Sequence, residues 1–276
     1  MISLIVLALA ANLPAEVRRV SPEPTGAWVR GVTVRKDRAV ILIHGMKVYP
    51  FRTHKTEQAV RHDWQEAGSQ LVVALSKDAD VFAFAFAQTL PVDLIAHSPA
   101  LRGAVKRFND AGYREVVLVG HSAGGLVARL FAEHYPDGLT KVILVATPHV
   151  GTEIANTPVG YPKCQAPFVH SLSPEARTMA NRDNKRLIPP RVQVVSVVSK
   201  LRGIEADGLL SVATQWPPLL QQQGIPAVLV HDSHWTILRT PAGVKAVAGL
   251  VRDPLVRWTP EQVQVARGIL FGDGEK

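Results

Sequence analysis

The sequence predicts an α/β fold in one domain: a mostly parallel, twisted sheet with helices packed on both faces. Three observations carry that expectation. Short, continuous apolar runs rich in β-branched residues recur along the chain, as strands buried on both faces require. Stretches with apolar residues at helical spacing separate them, the order expected of parallel strands joined by crossovers. The 276 residues are 47% hydrophobic and 20% charged, enough for one large core, and no linker or internal repeat divides them.

The elements follow in order. Trp28 to Val34 alternates apolar and polar residues, as an edge strand would, and Ala39–Ile43 is a short buried strand. Asp63 to Leu75 places Trp64, Ala67, Leu71 and Leu75 on one helical stripe, and Val81–Phe86 is again a strand. Leu94 to Asn109 has helical spacing and ends before Gly112. Glu115–Val119 is a third buried strand, and Ala123 to His134 a helix with Pro136 beyond its end. Lys141–Ala146, Val192–Val198 and Ala227–Val230 read as strands. Thr240-Pro241 opens a last helix, with a capping residue followed by proline at the first helical position.

Composition narrows the function classes. Cys164 is the only cysteine, which removes an intramolecular disulfide, a cysteine-rich zinc site and an iron–sulfur cluster. The 31 Lys and Arg against 23 Asp and Glu leave a net charge of +8. No run reaches five or six like charges, and aromatic content is only 6%, so no nucleic acid partner is expected. The charge reads as a solvated basic surface, with an anionic lipid interface as the alternative.

Residues 1–25 read as a signal or flexible leader, with the domain spanning 26–276. Ile2 to Ala11 is apolar except for one serine, and Ala8-Leu9-Ala10 offers a small-x-small cleavage site, although no Lys or Arg precedes the run. It is too short to span a bilayer, which takes about 20 residues. Export to the periplasm, envelope or medium is the favoured expectation. The other reading is a buried first strand in a cytoplasmic protein.

Gly120-His121-Ser122-Ala123-Gly124-Gly125 lies between the strand ending at Val119 and the helix from Ala123. A serine on so tight a strand-to-helix turn needs neighbours without bulk two residues before and two after, and Gly120 and Gly124 meet that need. The turn lifts the hydroxyl above the strand ends at the positive end of the helix. The string resembles the nucleophile elbow of the α/β-hydrolases, and residues 120–129 in particular resemble bacterial lipases and esterases. His44-Gly45-Met46, ending the strand Ala39–Ile43, is similar to the HG pair of their oxyanion loop. Thr147-Pro148-His149-Val150-Gly151-Thr152 is similar to a stretch that follows the next strand in many of those lipases.

The resemblance spans about residues 38–252 and implies an α/β-hydrolase fold and a carboxylic-ester hydrolase, an esterase or lipase, needing no cofactor and no metal. Ser122 is the implied nucleophile, and the backbone N–H groups of Met46 and Ala123 the oxyanion donors, with Gly45, His121 and Gly125 as supporting elbow and loop residues. His44 is read as a structural loop residue. The acid and base follow the serine in chain order. Among His134, His149, His170, His231 and His234, the last is favoured, because His234-Trp235 through Pro241 resembles the stretch around the family's catalytic histidine. Asp207, in Asp207-Gly208-Leu209-Leu210-Ser211, is favoured over Glu205 and Asp232 as the acid; Asp-Gly is also a strong turn signal. Residues 151–190, long and proline-rich, are expected to cap the pocket as a lid, with a helix from Ser173 through Asn184 and an apolar side from Val159, Tyr161, Phe168, Val169 and Leu172. The expected substrate is a small-molecule or lipid ester. Thioester or amide hydrolysis, or acyl transfer to another alcohol, would use the same triad. A non-catalytic basic binding protein is the reading from another class.

Overall fold

The computed structural model describes residues 4–21, 36–47, 53–157 and 160–271. The expected edge strand Trp28–Val34 and the lid residues Pro158 and Val159 lie outside them. Seven strands form one sheet: β1 (Ala15–Ser21), β2 (Arg38–Ile43), β3 (Asp80–Phe86), β4 (Glu115–His121), β5 (Lys141–Val145), β6 (Gln193–Ser199) and β7 (Ala227–Val230). Their order is β1-β3-β2-β4-β5-β6-β7, and every pairing is parallel except β1 with β3. The longer helices are α1 (Leu4–Ala11), α2 (Gln70–Leu75), α3 (Pro99–Asp110), α4 (Ala123–His134), α5 (Pro174–Asp183), α6 (Pro241–Arg252) and α7 (Pro260–Phe271). Among the described residues no helix is long and apolar enough to cross a membrane.

The strand period of two sorts the core into two layers. Ile41, Phe84, Leu118 and Leu144 face the cluster formed with α3, α4 and α7. Their neighbours Leu42, Ala83, Val119 and Val145 face the cluster formed with α2 and α6. Both faces are therefore covered, which explains why these strands read as continuous apolar runs.

The boundary expected at residue 25 needs correction. Residues 15–21 are not leader but the antiparallel edge strand of the sheet, with Val17 opposite Phe84 and Arg19 opposite Phe82. Arg19 is buried, and its Nη2 donates to Asp80 Oδ2 at 2.7 Å and to Tyr113 Oη at 3.0 Å. Tyr113 Oη in turn donates to Asp80 Oδ2 at 2.6 Å. The strand is hidden in the sequence because its pairing register shifts between Arg19 and Ser21 and because an arginine occupies a core position.

Two expected helices are shorter and broken. Asp63–Gln65 is a single 3-10 turn, and α2 starts afresh at Gln70, where the Ser69 side chain accepts from Val72 N. Val92–Ile95 is a separate helical turn, because Pro99 lacks the N–H that would continue it and restricts Ser98 before it. Helix α6 begins as expected, with the Thr240 hydroxyl accepting from Gly243 N. Its other end is tied to the sheet: Lys141 Nζ donates to the carbonyls of Leu250, Val251 and Asp253 at 2.9, 2.9 and 2.6 Å. These are orphan acceptors of a helix C-terminus, where a cation also complements the helix dipole.

Candidate active site

The C-terminal ends of β2, β4, β5 and β6 bring the expected residues together. Ser122 sits between β4 and α4 with φ 55° and ψ −129°, a left-handed conformation that only it and Ala146 adopt among the described non-glycine residues. Its N–H donates to Val145 O at 2.9 Å, and its carbonyl accepts from Gly125 N at 2.9 Å, so the strained turn is held from both sides. The flanking glycines are sterically required. A Cβ on Gly120 would lie 2.4 Å from Gly124 O, and one on Gly124 would lie 2.3 Å from Ile43 O.

His234 bridges the serine and the acid. Its Nδ1–H donates to Asp207 Oδ2 at 2.8 Å, and its Nε2 faces Ser122 Oγ at 3.0 Å. Because a carboxylate only accepts, the proton belongs on Nδ1, which leaves Nε2 free to receive the serine proton. Asp207 is fully buried. Its other oxygen accepts from Leu209 N at 2.9 Å and Leu210 N at 2.7 Å, in a turn that Gly208 makes possible with φ 94°. Its own carbonyl accepts from His234 N at 2.9 Å, so acid and base loops are also joined through the backbone. Gln215, buried, donates to Asp207 Oδ2 at 3.4 Å and to Ser199 O at 2.9 Å.

Asp232 is placed elsewhere: its carboxylate accepts from Ser233 N and binds the Thr236 and Thr240 hydroxyls, which shapes the loop into α6. His134 lies at the far end of α4 against His97, and His170 lies beside Tyr161 in the insertion. His149 is enclosed behind the pocket, its carbonyl accepting from Asn181 Nδ2 at 2.9 Å, while its neighbour Pro148 lines the pocket.

Gly45 lies against the serine, and Met46 lines the same pocket. A Cβ on Gly45 would be 2.6 Å from Ser122 Cβ and 3.1 Å from Ser122 Oγ, so the backbone of this loop approaches the hydroxyl as only glycine permits. His44 is buried and stacked on Phe86, with centroids 4.1 Å apart, and its Nδ1 donates to Gly45 O at 2.7 Å. Burial, then the neighbouring His62, pushes its pKa down to about 3, so it stays neutral as a loop residue. His121 donates from Nε2 to His234 O at 2.9 Å, and burial, then the nearby His234, holds its pKa well below the usual value.

Ser122 and His234 open into a pocket of about 570 Å³. One wall is apolar, from Val169 and Leu172 of the insertion and Leu209 and Leu210 of the acid loop. His62, Trp64 and Arg239 also line it; the sequence assigned none of them a place at the site, Trp64 reading as a helix-stripe residue. Burial, then Lys47 and Arg239, lowers His62 to about 4. Arg239 forms a two-pronged ion pair with Asp63 at the rim.

The expected lid is a docked wall. Val169 and Leu172 face the pocket, Phe168 is buried beside Phe86, and helix α5 starts at the Ser173 cap as expected. Ser171 Oγ accepts from Val92 N at 3.1 Å, Arg177 pairs with Asp93, and Asn184 Nδ2 donates to Glu133 Oε2 at 2.6 Å. Among the described residues no group of three or more His, Cys, Asp or Glu side chains is placed to hold a metal ion.

The alpha/beta hydrolase fold family matches residues 108–202, the stretch that contains the elbow and the whole insertion. Comparison with the curated proteins gives no match. Solved structures agree on the fold across the chain. The mature form of Bacillus licheniformis lipase BlEst2 superposes with a TM-score of 0.62 at 13% identity, covering 82% of this chain and 96% of that one. The metagenomic carboxyl esterase MGS0156 gives 0.52 at 14%, covering 91% and 80%. Phospholipase PlaB from Legionella pneumophila gives 0.58 at 14%, covering 85% of this chain and 63% of that one. The sheet, the elbow and these superpositions set the class: this chain has the α/β-hydrolase fold.

Proposed function

We propose that this chain is a serine hydrolase that cleaves carboxylic esters through an acyl-enzyme on Ser122. The observation that carries the reading is the Ser122–His234–Asp207 hydrogen-bond chain opening into an apolar pocket. Ser122 Oγ attacks the ester carbonyl while His234 Nε2 takes its proton, and Asp207 holds the imidazole in the correct tautomer and stabilises the imidazolium. The N–H groups of Met46 and Ala123 receive the oxyanion; losing one such donor typically costs about 2.7–4 kcal/mol of barrier. His234 then protonates the departing alcohol, and water repeats the sequence on the acyl group.

The apolar wall of Val169, Leu172, Leu209 and Leu210 suits the acyl chain. Solved structures of the same fold described as a lipase, a carboxyl esterase and a phospholipase support that substrate class. At the mouth, Ile154 and Trp235 are exposed, and together with the net charge of +8 they favour an anionic lipid interface as the place of action. Export remains part of this reading, since the apolar segment ends before β1 begins.

A fluorophosphonate probe and p-nitrophenyl esters of rising chain length test the proposal. Wild type is expected to be labelled and to turn over esters, and Ser122→Ala to do neither. Absence of labelling in folded wild type, or persistent labelling of Ser122→Ala, sinks the nucleophile assignment. Preference for thioesters or amides in a matched panel would move the activity to those classes on the same triad.

A further inference from the structure

Two buried glutamines lie outside the Ser122–His234–Asp207 chain and yet converge on the loop beside the serine. Gln88, just past β3, and Gln165, in the insertion, are 1% and 0% exposed. Gln88 Nε2 donates to Gly45 O at 2.9 Å, and Gln88 Oε1 accepts from Lys47 N at 3.0 Å. One carboxamide therefore grips the backbone on both sides of Met46. Gln165 Nε2 completes the clamp, donating to Gln88 Oε1 at 2.7 Å and to Lys47 O at 2.8 Å. Both amide orientations are dictated by their partners, since a backbone N–H can only donate and a carbonyl can only accept.

The clamp has a directional consequence. In a trans peptide the C=O and the following N–H point to opposite sides. Gly45 O is bound by Gln88 and by His44 Nδ1 at 2.7 Å, so the N–H of Met46 is turned away from both. Gly45, Met46 and Ser122 line the pocket and Gln88 does not, so turning away from Gln88 means facing the pocket. Free rotation of that peptide would exchange a donor for an acceptor where the oxyanion forms.

We propose that Gln88 is the positioning residue that fixes the Gly45–Met46 peptide with its N–H toward the oxyanion, and that Gln165 carries this constraint from the docked insertion to the loop. The inference rests on the serine-hydrolase reading. It makes the insertion a structural part of the catalytic apparatus as well as a wall for the acyl chain. A purely structural alternative assigns the glutamines only to satisfying buried backbone groups. The two differ in kinetics, because a misaligned oxyanion donor weakens the transition state and leaves substrate binding alone.

The test compares Gln88→Met, Gln88→Glu and Gln165→Met with wild type on p-nitrophenyl butyrate, alongside affinity for an alkyl boronic acid that forms a tetrahedral adduct on serine. Deleting an oxyanion donor costs roughly 100–1,000-fold in kcat, so loosening one should cost about 10–100-fold. Gln88→Met is expected to lose that much kcat with KM within about twofold, and boronate affinity is expected to fall by the same factor as kcat/KM. Gln88→Glu keeps the acceptor for Lys47 N but as a carboxylate cannot donate to Gly45 O, so it should fall in the same range. Gln165→Met, one bond further away, should lose roughly three- to tenfold in kcat with the same split, and it decides the matter if the Gln88 variants fail to fold. Folded variants with unchanged kcat and boronate affinity, or with only a raised KM, overturn the positioning role while wild-type labelling at Ser122 leaves the hydrolase reading standing. Wild type that fails to react with the fluorophosphonate overturns both.

Discussion

Acid should unfold this protein by a route that its buried histidines prescribe. His44, His121 and His149 are enclosed, at 0%, 8% and 0% exposure. Burial pushes His44 from 6.5 down to about 3 and holds His121 and His149 well below 6.5. The sign follows from which state binds the proton. Below about pH 6.5 the unfolded chain protonates these rings while the folded chain does not, so stability is full above that pH and falls as the pH drops toward the folded values. Each group contributes about 1.36 kcal/mol per pH unit in that window, so the three together give a slope of about 4 kcal/mol per unit. Between pH 7.5 and 5 the loss from these three alone is roughly 6 kcal/mol, against a total stability of roughly 5–15 kcal/mol for a typical domain. Glu133, whose carboxyl burial raises, opposes part of this just above pH 4.5. Urea denaturation followed by tryptophan fluorescence at half-unit steps from pH 7.5 to 5 reads the slope directly, since Trp64 and Trp216 are buried. His62 and His134, partly exposed and lowered to about 4, steepen the slope further, and His149→Met should reduce it by one group's share, about 1.36 kcal/mol per pH unit. A stability that stays flat over that range, or a slope indifferent to His149→Met, would refute the reasoning.

Other perturbations separate individual assignments. Asp207→Asn should lower kcat by about 10,000-fold with little change in folding. Asp232→Asn, which touches only its own loop and the cap of α6, should keep kcat and lose about 1 kcal/mol of stability; the opposite pattern in steady-state kinetics and melting would exchange their roles. Ser122→Gly should abolish turnover and yet raise the melting temperature by roughly 2–4 °C, because glycine relieves a φ of 55°, whereas Ser122→Ala should abolish turnover without the gain. Removing residues 1–10 should preserve cooperative folding, while removing 1–21 strips Arg19 from buried Asp80 and should cost about 3–5 kcal/mol, measured by chemical denaturation. Ester hydrolysis in anionic vesicles should exceed that in neutral ones at low salt and converge with it at high salt; equal rates throughout would return the +8 to a role in solubility.

The legible parts of this chain were those fixed by local rules. Strands β2 to β7 announced themselves as apolar runs because both faces of the sheet are covered, and Gly120 and Gly124 flanked Ser122 because backbone atoms of Gly124 and Ile43 come too close for any Cβ. Asp207 carried its own mark in the glycine that follows it, which takes the positive φ of the turn. What stayed hidden depends on partners distant in sequence. Arg19 made β1 look polar because Asp80, which neutralises it, lies 61 residues away. His62 and Arg239 reach the pocket from loops without periodicity, and Arg239 is held there by Asp63, 176 residues distant. Gln88 and Gln165 meet across 77 residues, and a lone glutamine carries no sequence mark of the backbone it will grip. The lid expectation came from length and proline content alone, which are silent about the Arg177–Asp93 pair and the other bonds that dock it.

Lys141 gives helix α6 the character of a strut. The helix starts at Thr240, six residues after His234, and the same Asp232 that binds Thr240 lies on the loop bearing the histidine. Its far end is fastened by Lys141 at the opposite rim of the sheet, at the first residue of β5. A rod clamped at one end delivers any slip to the other with little loss. The histidine's reach toward Ser122 is therefore set partly by an ammonium group across the whole length of the helix, and alignment at the site is a property of the scaffold's span as much as of the pocket.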